Sequence, residues 1–187
     1  MLNISFGAKS LSKENIFKYN KNLNSYNQAN VSFVEINPKN SNDYTAVSEA
    51  VKSWQNETYG TNIMHTVKEL KKDYVKGENH KIYALTSQKD NLQKLNSDMI
   101  LGLVQIELEE NKTPYLSYLQ TNPDYTEQYA FYFERIYKGV GTAILNALKK
   151  LYNSILLKAS NRGLDYFYTK NDFHLVDKLG NKYLWKK

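Results

Sequence analysis

Cysteine is absent from all 187 residues. That one absence removes disulfides, thiolate metal sites and a cysteine nucleophile together, and it suits a cytoplasmic chain. Proline is rare, with three residues, and glycine is sparse, with eight, so each glycine is worth asking about. His65, His80 and His174 stand far apart without metal-ligand spacing, so no metal site is expected. No apolar run approaches the roughly 20 residues that cross a bilayer, so no membrane partner is expected. Met1 to Ser10 lacks a basic flank leading into an apolar core, so no secretion signal is expected. Neither a Gly-x-Ser-x-Gly elbow nor a Gly-Lys-Ser/Thr phosphate loop occurs.

The chain is 41% hydrophobic and 13% aromatic, and sixteen tyrosines supply most of the rings. Its length suits one domain with a substantial core. Net charge is +6 and unevenly spread: from Arg135 onward eleven Lys/Arg face three Asp, giving +8 there and −2 before it. Two readings stay open, a solvated lysine cluster or a half that holds a polyanion. Nucleic acid is secondary, because there is no dense Lys/Arg run and no paired-aromatic single-strand motif.

The most informative stretch is Tyr137-Lys138-Gly139-Val140-Gly141-Thr142. It opens a helix expected over about 139–152, with Val140, Ile144, Leu145, Leu148 and Leu151 on one face and Lys149 and Lys150 in the last turn. Free N–H groups at such a start attract phosphate. Gly139 and Gly141 can equally serve close helix packing.

The remaining pattern is read in order. Residues 1–30 form a polar extension, a hairpin or partly disordered, with Asn3–Phe6 and Asn15–Tyr19 as candidate strands. Residues 31–187 form the single domain. Val31–Ile36 alternates as a strand. Asn42-Asp43 caps a helix over 43–57, and Ile63, Val67, Leu70 and Tyr74 mark a second over 62–76 that stops near Gly77. Strands follow at His80–Thr86, Met99–Leu108 and Tyr115–Thr121, then an aromatic, acidic loop over 124–134. Beyond the glycine-opened helix come a strand at Ser154–Ala159, a short helix over 162–171 and one or two strands over 173–185. This order predicts an α/β (α+β) fold: a mixed, mostly antiparallel central sheet flanked by helices on both faces.

Three residue groups carry a resemblance: Leu116-Ser117-Tyr118-Leu119-Gln120-Thr121-Asn122-Pro123 followed by Tyr137 to Thr142; Asn161; and Phe167-Tyr168-Thr169-Lys170-Asn171-Asp172-Phe173. Together they resemble the GNAT superfamily of acyl-CoA-dependent N-acyltransferases, over residues 31–187. The resemblance implies transfer of an acetyl group from acetyl-CoA, or another acyl-CoA, to an amine by direct attack. It implies that Leu119, Gln120 and Thr121 pair with the pantetheine arm and that Tyr137, Lys138, Gly139, Val140, Gly141 and Thr142 receive the diphosphate. Asn161 matches the residue that bonds the cofactor arm, and Tyr168 the one that protonates the leaving thiolate. A main-chain N–H near Gln120 would steady the oxyanion. Glu107 and Glu109 end a strand and can relay the amine's proton or simply be solvated. The acceptor is an amine of a small molecule, peptide or protein, to a monomer or homodimer. Alternatives are a non-catalytic acyl-CoA- or partner-binding module and an enzyme acting on aminoacyl-tRNA. The chain departs from the family at Ile136, where Gln or Arg is usual three residues before Gly139, at Asp172, where Gly is usual, and in its long 124–134 loop. Asn161 as a plain helix cap and Tyr168 as a plain core ring remain open.

Overall fold

The computed structural model describes residues 7–54, 58–72, 79–110, 112–123 and 135–187. The candidate strand Asn3–Phe6, the expected helix end near Tyr74 and Gly77, and the 124–134 loop with its rings and acids lie outside the described residues.

Among the described residues nine strands form one sheet: β1 (Lys9–Asn20), β2 (Ser25–Glu35), β3 (His80–Thr86), β4 (Ile100–Glu107), β5 (Tyr115–Thr121), β6 (Tyr137–Lys138), β7 (Ser154–Lys158), β8 (His174–Asp177) and β9 (Lys182–Lys186). Their spatial order is β6-β1-β2-β3-β4-β5-β7-β9-β8. Of these strands β5 and β7 run parallel, and the other described pairings are antiparallel. Helices α1 (Ser41–Ser53) and α2 (Thr58–Lys71) precede β3, α3 (Val140–Leu151) precedes β7, and a 3-10 turn (Arg162–Leu164) leads into the short α4 (Asp165–Thr169). The expected mixed, mostly antiparallel sheet is what forms.

Successive residues of a strand point to opposite faces, and the core divides accordingly. Val34, Ile82, Ala84 and Leu103 pack under Ala46, Val47 and Ala50 of α1 and Ile63, Met64 and Val67 of α2. Their neighbours Phe33, Tyr83, Leu85 and Val104 pack on the other face with Val140, Ala143, Ile144, Ala147 and Leu148 of α3. A fully buried Leu, Ile or Val contributes about 1.5–3 kcal/mol, so two covered faces explain why the central strands are apolar almost throughout.

Local details refine the sequence reading. The cap of α1 is Asn40, whose side chain accepts from the Asn42 and Asp43 amides; Asp43 itself is buried and accepts from the amides of Ala8 and Asn37. Burial pushes the Asp43 carboxyl up. Leu151 ends α3 40% exposed, and Ala143 and Ala147 complete the buried stripe instead. Residues 9–35 are a hairpin whose second strand runs unbroken across residues 30 and 31.

Buried phenols tie the α3 face. The Tyr83 and Tyr152 hydroxyls lie 2.6 Å apart, and burial pushes both phenols up. The Tyr183 hydroxyl donates to Asp165 Oδ1 at 2.6 Å, which holds its phenol up at about 12. The fold therefore favours the neutral phenols, while unfolded phenols ionise near pH 10. Their contribution is full below pH 10 and is lost as pH rises through the folded values. Urea midpoints should fall steeply from pH 9 to pH 11.5, and Tyr183→Phe should flatten that fall. An identical slope in the variant would remove Tyr183 from the alkaline transition.

Candidate active site

The site begins with one extra residue. β4 and β5 pair Gln105 with Tyr118 and Ile106 with Leu116, so Ser117 has no opposite number. Such a bulge bends its strand and increases local twist. β5 pairs with β7 only at Tyr115/Leu156 and Leu116/Leu157, immediately before the bulge, whereas β7 stays paired with β9 from Ser154 to Lys158. From Ser117 to Thr121 no strand among the described residues pairs with the edge of β5 that faces β7. The two strands form a wedge with its apex at Leu116/Leu157 and a length of roughly 16 Å along β5. Leu119, Gln120 and Thr121 stand along the open half. A strand edge that no other strand pairs can accept an extended, amide-bearing arm as an added strand; on this edge the Thr121 carbonyl already accepts from the Gln120 side-chain amide at 2.8 Å.

The open end of the wedge meets the start of α3. A Cβ on Gly102 of β4 would lie 2.8 Å from Ile144 Cδ1, 3.1 Å from the Gln120 carbonyl oxygen and 3.4 Å from Val140 Cγ1. The bare Gly102 thus lets α3 settle on the sheet beside Gln120. Gly139 caps α3 with φ +85 and no side-chain cap bond, and a Cβ there would meet nothing within 4 Å. The first helical bond runs from the Ala143 amide to the Gly139 carbonyl at 2.9 Å. The amides of Val140, Gly141 and Thr142 precede it and face outward at the positive end of the dipole. Gly141 has a packing reason as well: a Cβ would come within 3.0 Å of the Phe167 ring.

Tyr137 and Lys138 are placed differently. They form β6, paired with Lys18 and Phe17 of β1. Tyr137 is buried, and the exposed Lys138 holds its Nζ 3.7 Å over the Tyr26 ring.

α4 packs over β8 and β9, beyond β7, and reaches the start of α3 through Phe167. Tyr168 is buried against Phe167, Phe173 and Tyr183, with centroids 5.2, 6.1 and 5.5 Å away. Asn161 is exposed ahead of the 3-10 turn in extended conformation, and its side chain makes no cap hydrogen bond. Asp172 takes the left-handed conformation at φ 60, which accounts for glycine at that place in the motif. Lys149 of α3 holds the turn, donating to the Asn171 carbonyl and to Asp172 at 3.0 Å.

Glu107 ends β4 opposite Tyr115, and the Ser117 hydroxyl donates to its carboxylate. It therefore stands near the apex of the wedge, not at the open end with the glycines. Burial and the Glu107 charge push the Tyr115 phenol up. Two residues before Glu107, Gln105 is 2% exposed; its amide nitrogen lies 3.5 Å from His80 Nδ1, and its carbonyl oxygen has no hydrogen-bond partner. Among the described residues no group of His, Asp or Glu could hold a metal.

Sequence reasoning assigned no role to Ser117, Gln105 or Gly102. Only Ser117 leaves a readable trace: Leu116 and Leu119 reach the same core three residues apart, a slip from the strand period of two.

A sheet split by a bulged strand, a glycine-opened helix at the mouth of the split and a short helix on its far side define the GNAT N-acyltransferase fold. No protein-family model and no curated protein sequence matches the chain. Solved structures do. The N-acetyltransferase PseH of Campylobacter jejuni, in complex with acetyl coenzyme A, is 17% identical, with 83% of this chain and 99% of that one covered at a TM-score of 0.51. AtaT, complexed with acetyl-methionyl-tRNAfMet, is 10% identical, with 83% and 94% covered at 0.52. A protein from Desulfovibrio desulfuricans assigned to the GNAT acetyltransferases is 13% identical, with 83% and 98% covered at 0.51. At these identities the likeness establishes the fold.

Gly102→Ala should cost about 1–3 kcal/mol by overpacking, read as a melting temperature lower by about 2–4 °C per kcal/mol. An unshifted melting curve would mean that α3 does not rest on that glycine.

Proposed function

We propose that this chain is an acyl-CoA-dependent N-acyltransferase, with acetyl-CoA as donor and an amine as acceptor. One observation carries the reading: the edge of β5 that β7 leaves after Leu116 leads to the start of α3, where no side chain caps the first three amides. An anion with an extended amide-bearing tail fits that pairing, and coenzyme A has that form. Bound there as its acetyl derivative, it would supply an activated thioester. Val140, Gly141 and Thr142 would hold the diphosphate, Gly139 admitting it by lacking a side chain; Leu119, Gln120 and Thr121 would hold the arm; Asn161 would bond it from the β7 side. Tyr137 and Lys138 would contribute by fixing the approach to Gly139, with Lys138 adding charge.

The reaction is a direct displacement. The amine nitrogen forms a bond to the acyl carbon, the carbon–sulfur bond breaks, the nitrogen loses a proton and the sulfur gains one. Tyr168, on the β7 flank, gives its hydroxyl proton to the sulfur. Glu107, near the wedge apex, takes the proton from the amine directly or through water. A main-chain N–H of β5 steadies the charge on the carbonyl oxygen.

A second acceptor class, an amine carried on RNA, is favoured by the +8 charge from Arg135 onward, and AtaT was solved with an acetylated aminoacyl-tRNA. RNA binding that weakens steeply with salt would support it; salt-insensitive or absent RNA binding leaves the small-molecule, peptide and protein amines.

The test is turnover. Protein, acetyl-CoA and a panel of amines should release free thiol; coenzyme binding without thiol release for any amine would favour a binding module over an enzyme. Tyr168→Phe should slow turnover by about a hundredfold or more with coenzyme affinity nearly intact. Gly139→Glu should lower coenzyme affinity by at least about a hundredfold, since a carboxylate then faces the diphosphate; tight binding by that variant would displace the site from α3.

A further inference from the structure

The first thirty residues carry no part of the family resemblance, yet they reach the glycine nest. Ser25–Val31 of β2 pair with β1 alone, beyond the last β2–β3 pair at Ser32/Thr86. This arm lies along α3. Buried Glu14 meets Lys150 in the last turn of α3 at 2.6 Å, and Ile16 and Ala29 join the α3 core. At the other end of the helix, the arm grips the segment that leads into Gly139. The Tyr19 amide donates to the Ile136 carbonyl at 2.9 Å, Lys18 and Phe17 pair with Tyr137 and Lys138, and the Tyr26 hydroxyl donates to the Arg135 carbonyl at 2.8 Å. Lys138 Nζ sits 3.7 Å over the Tyr26 ring, which itself leans on Tyr19 with centroids 5.2 Å apart.

The ties to residues 135–138 stop one residue short of Gly139. Gly139, at φ +85, is a joint that no side chain restrains. α3 itself is seated on the sheet by Val140, Ala143 and Ile144, so what the arm fixes is the entry: without it the Tyr137–Lys138 segment has no set course beside the three amides, and a bound diphosphate must order that segment at the expense of affinity. Tyr26 holds the 135–138 segment at both ends, through the Arg135 carbonyl and through the Lys138 side chain.

We propose that the β1–β2 arm is a strut that pre-organises the diphosphate nest, with Tyr26 as its positioning residue, so that coenzyme affinity is set in part by the N-terminal segment. This rests on the reading of α3 as the coenzyme seat. The experiment uses the full chain with Tyr26→Ala and Tyr26→Phe. It measures calorimetric affinity for coenzyme A, steady-state turnover of acetyl-CoA and of acetyl-pantetheine, which lacks the diphosphate, and thermal melting.

Tyr26→Ala should weaken coenzyme A binding by about tenfold. KM for acetyl-CoA should rise with it while kcat and acetyl-pantetheine turnover hold. Tyr26→Phe, which keeps the ring beneath Lys138, should lose about threefold. Unchanged coenzyme affinity in folded Tyr26→Ala, or equal losses for the two donors, overturns the strut. Should Tyr26→Ala not fold, Tyr26→Phe decides alone, and wild-type affinity in it overturns the strut. A wild-type chain that binds no coenzyme A overturns the seat at α3 itself, whereas tight wild-type binding that is indifferent to Tyr26 overturns only the strut.

Discussion

The parting of β5 from β7 is the constraint on which the rest of the molecule is arranged. Ser117 is one residue more than β4 can pair, and the bend it forces takes β5 out of reach of β7 after two shared positions. Main-chain groups along a sheet edge need a partner in side chains, water or a ligand, and an edge of this kind can take a ligand with its own amides. The Ser117 hydroxyl also ties the bulge to Glu107. The backbone defect and the carboxylate assigned to proton transfer are therefore one local structure.

Three glycines shape the mouth of the split, each for a separate reason. Gly102 removes the Cβ that would hold α3 off the sheet. Gly141 makes room for Phe167, so that α4 can close from the β7 side. Gly139 turns the chain left-handed into the helix and leaves open space above it. Lys149 secures the opposite side, held between the Phe173 and Trp185 rings at 5.5 and 5.4 Å while it binds the Asn171–Asp172 turn. The nest and the Tyr168 segment are thus both braced on α3.

Much of this was legible in the sequence. The strands at His80–Thr86 and Met99–Leu108 were readable because burial on both faces makes their apolar content continuous or nearly so; Tyr115–Thr121 was readable because Tyr, Leu and Thr stand between the turn signals at Pro114 and Asn122-Pro123. The α3 helix was readable because a glycine pair followed by a strong apolar stripe has few other meanings. Asp172 was marked in the sequence by standing where glycine is usual, and the structure gives it the left-handed conformation. The β1 arm was not. Its strand buries only Glu14 and Ile16 below one-tenth exposure, so no alternation marks twelve residues of strand, and its partner in β6 is two residues long. Nor was the cap of α1, because Asn40, Asn42 and Asp43 are all competent caps and only the Asp43 contacts with Ala8 and Asn37 decide among them.

The claim at the centre is that three main-chain amides, those of Val140, Gly141 and Thr142, form the seat of a coenzyme diphosphate. Amide chemical shifts during a titration with coenzyme A address those atoms individually. The account predicts that these three amides move most and saturate together with those of Leu119 to Thr121 on β5. Saturating shifts confined to another surface, with the α3 amides still, would contradict it.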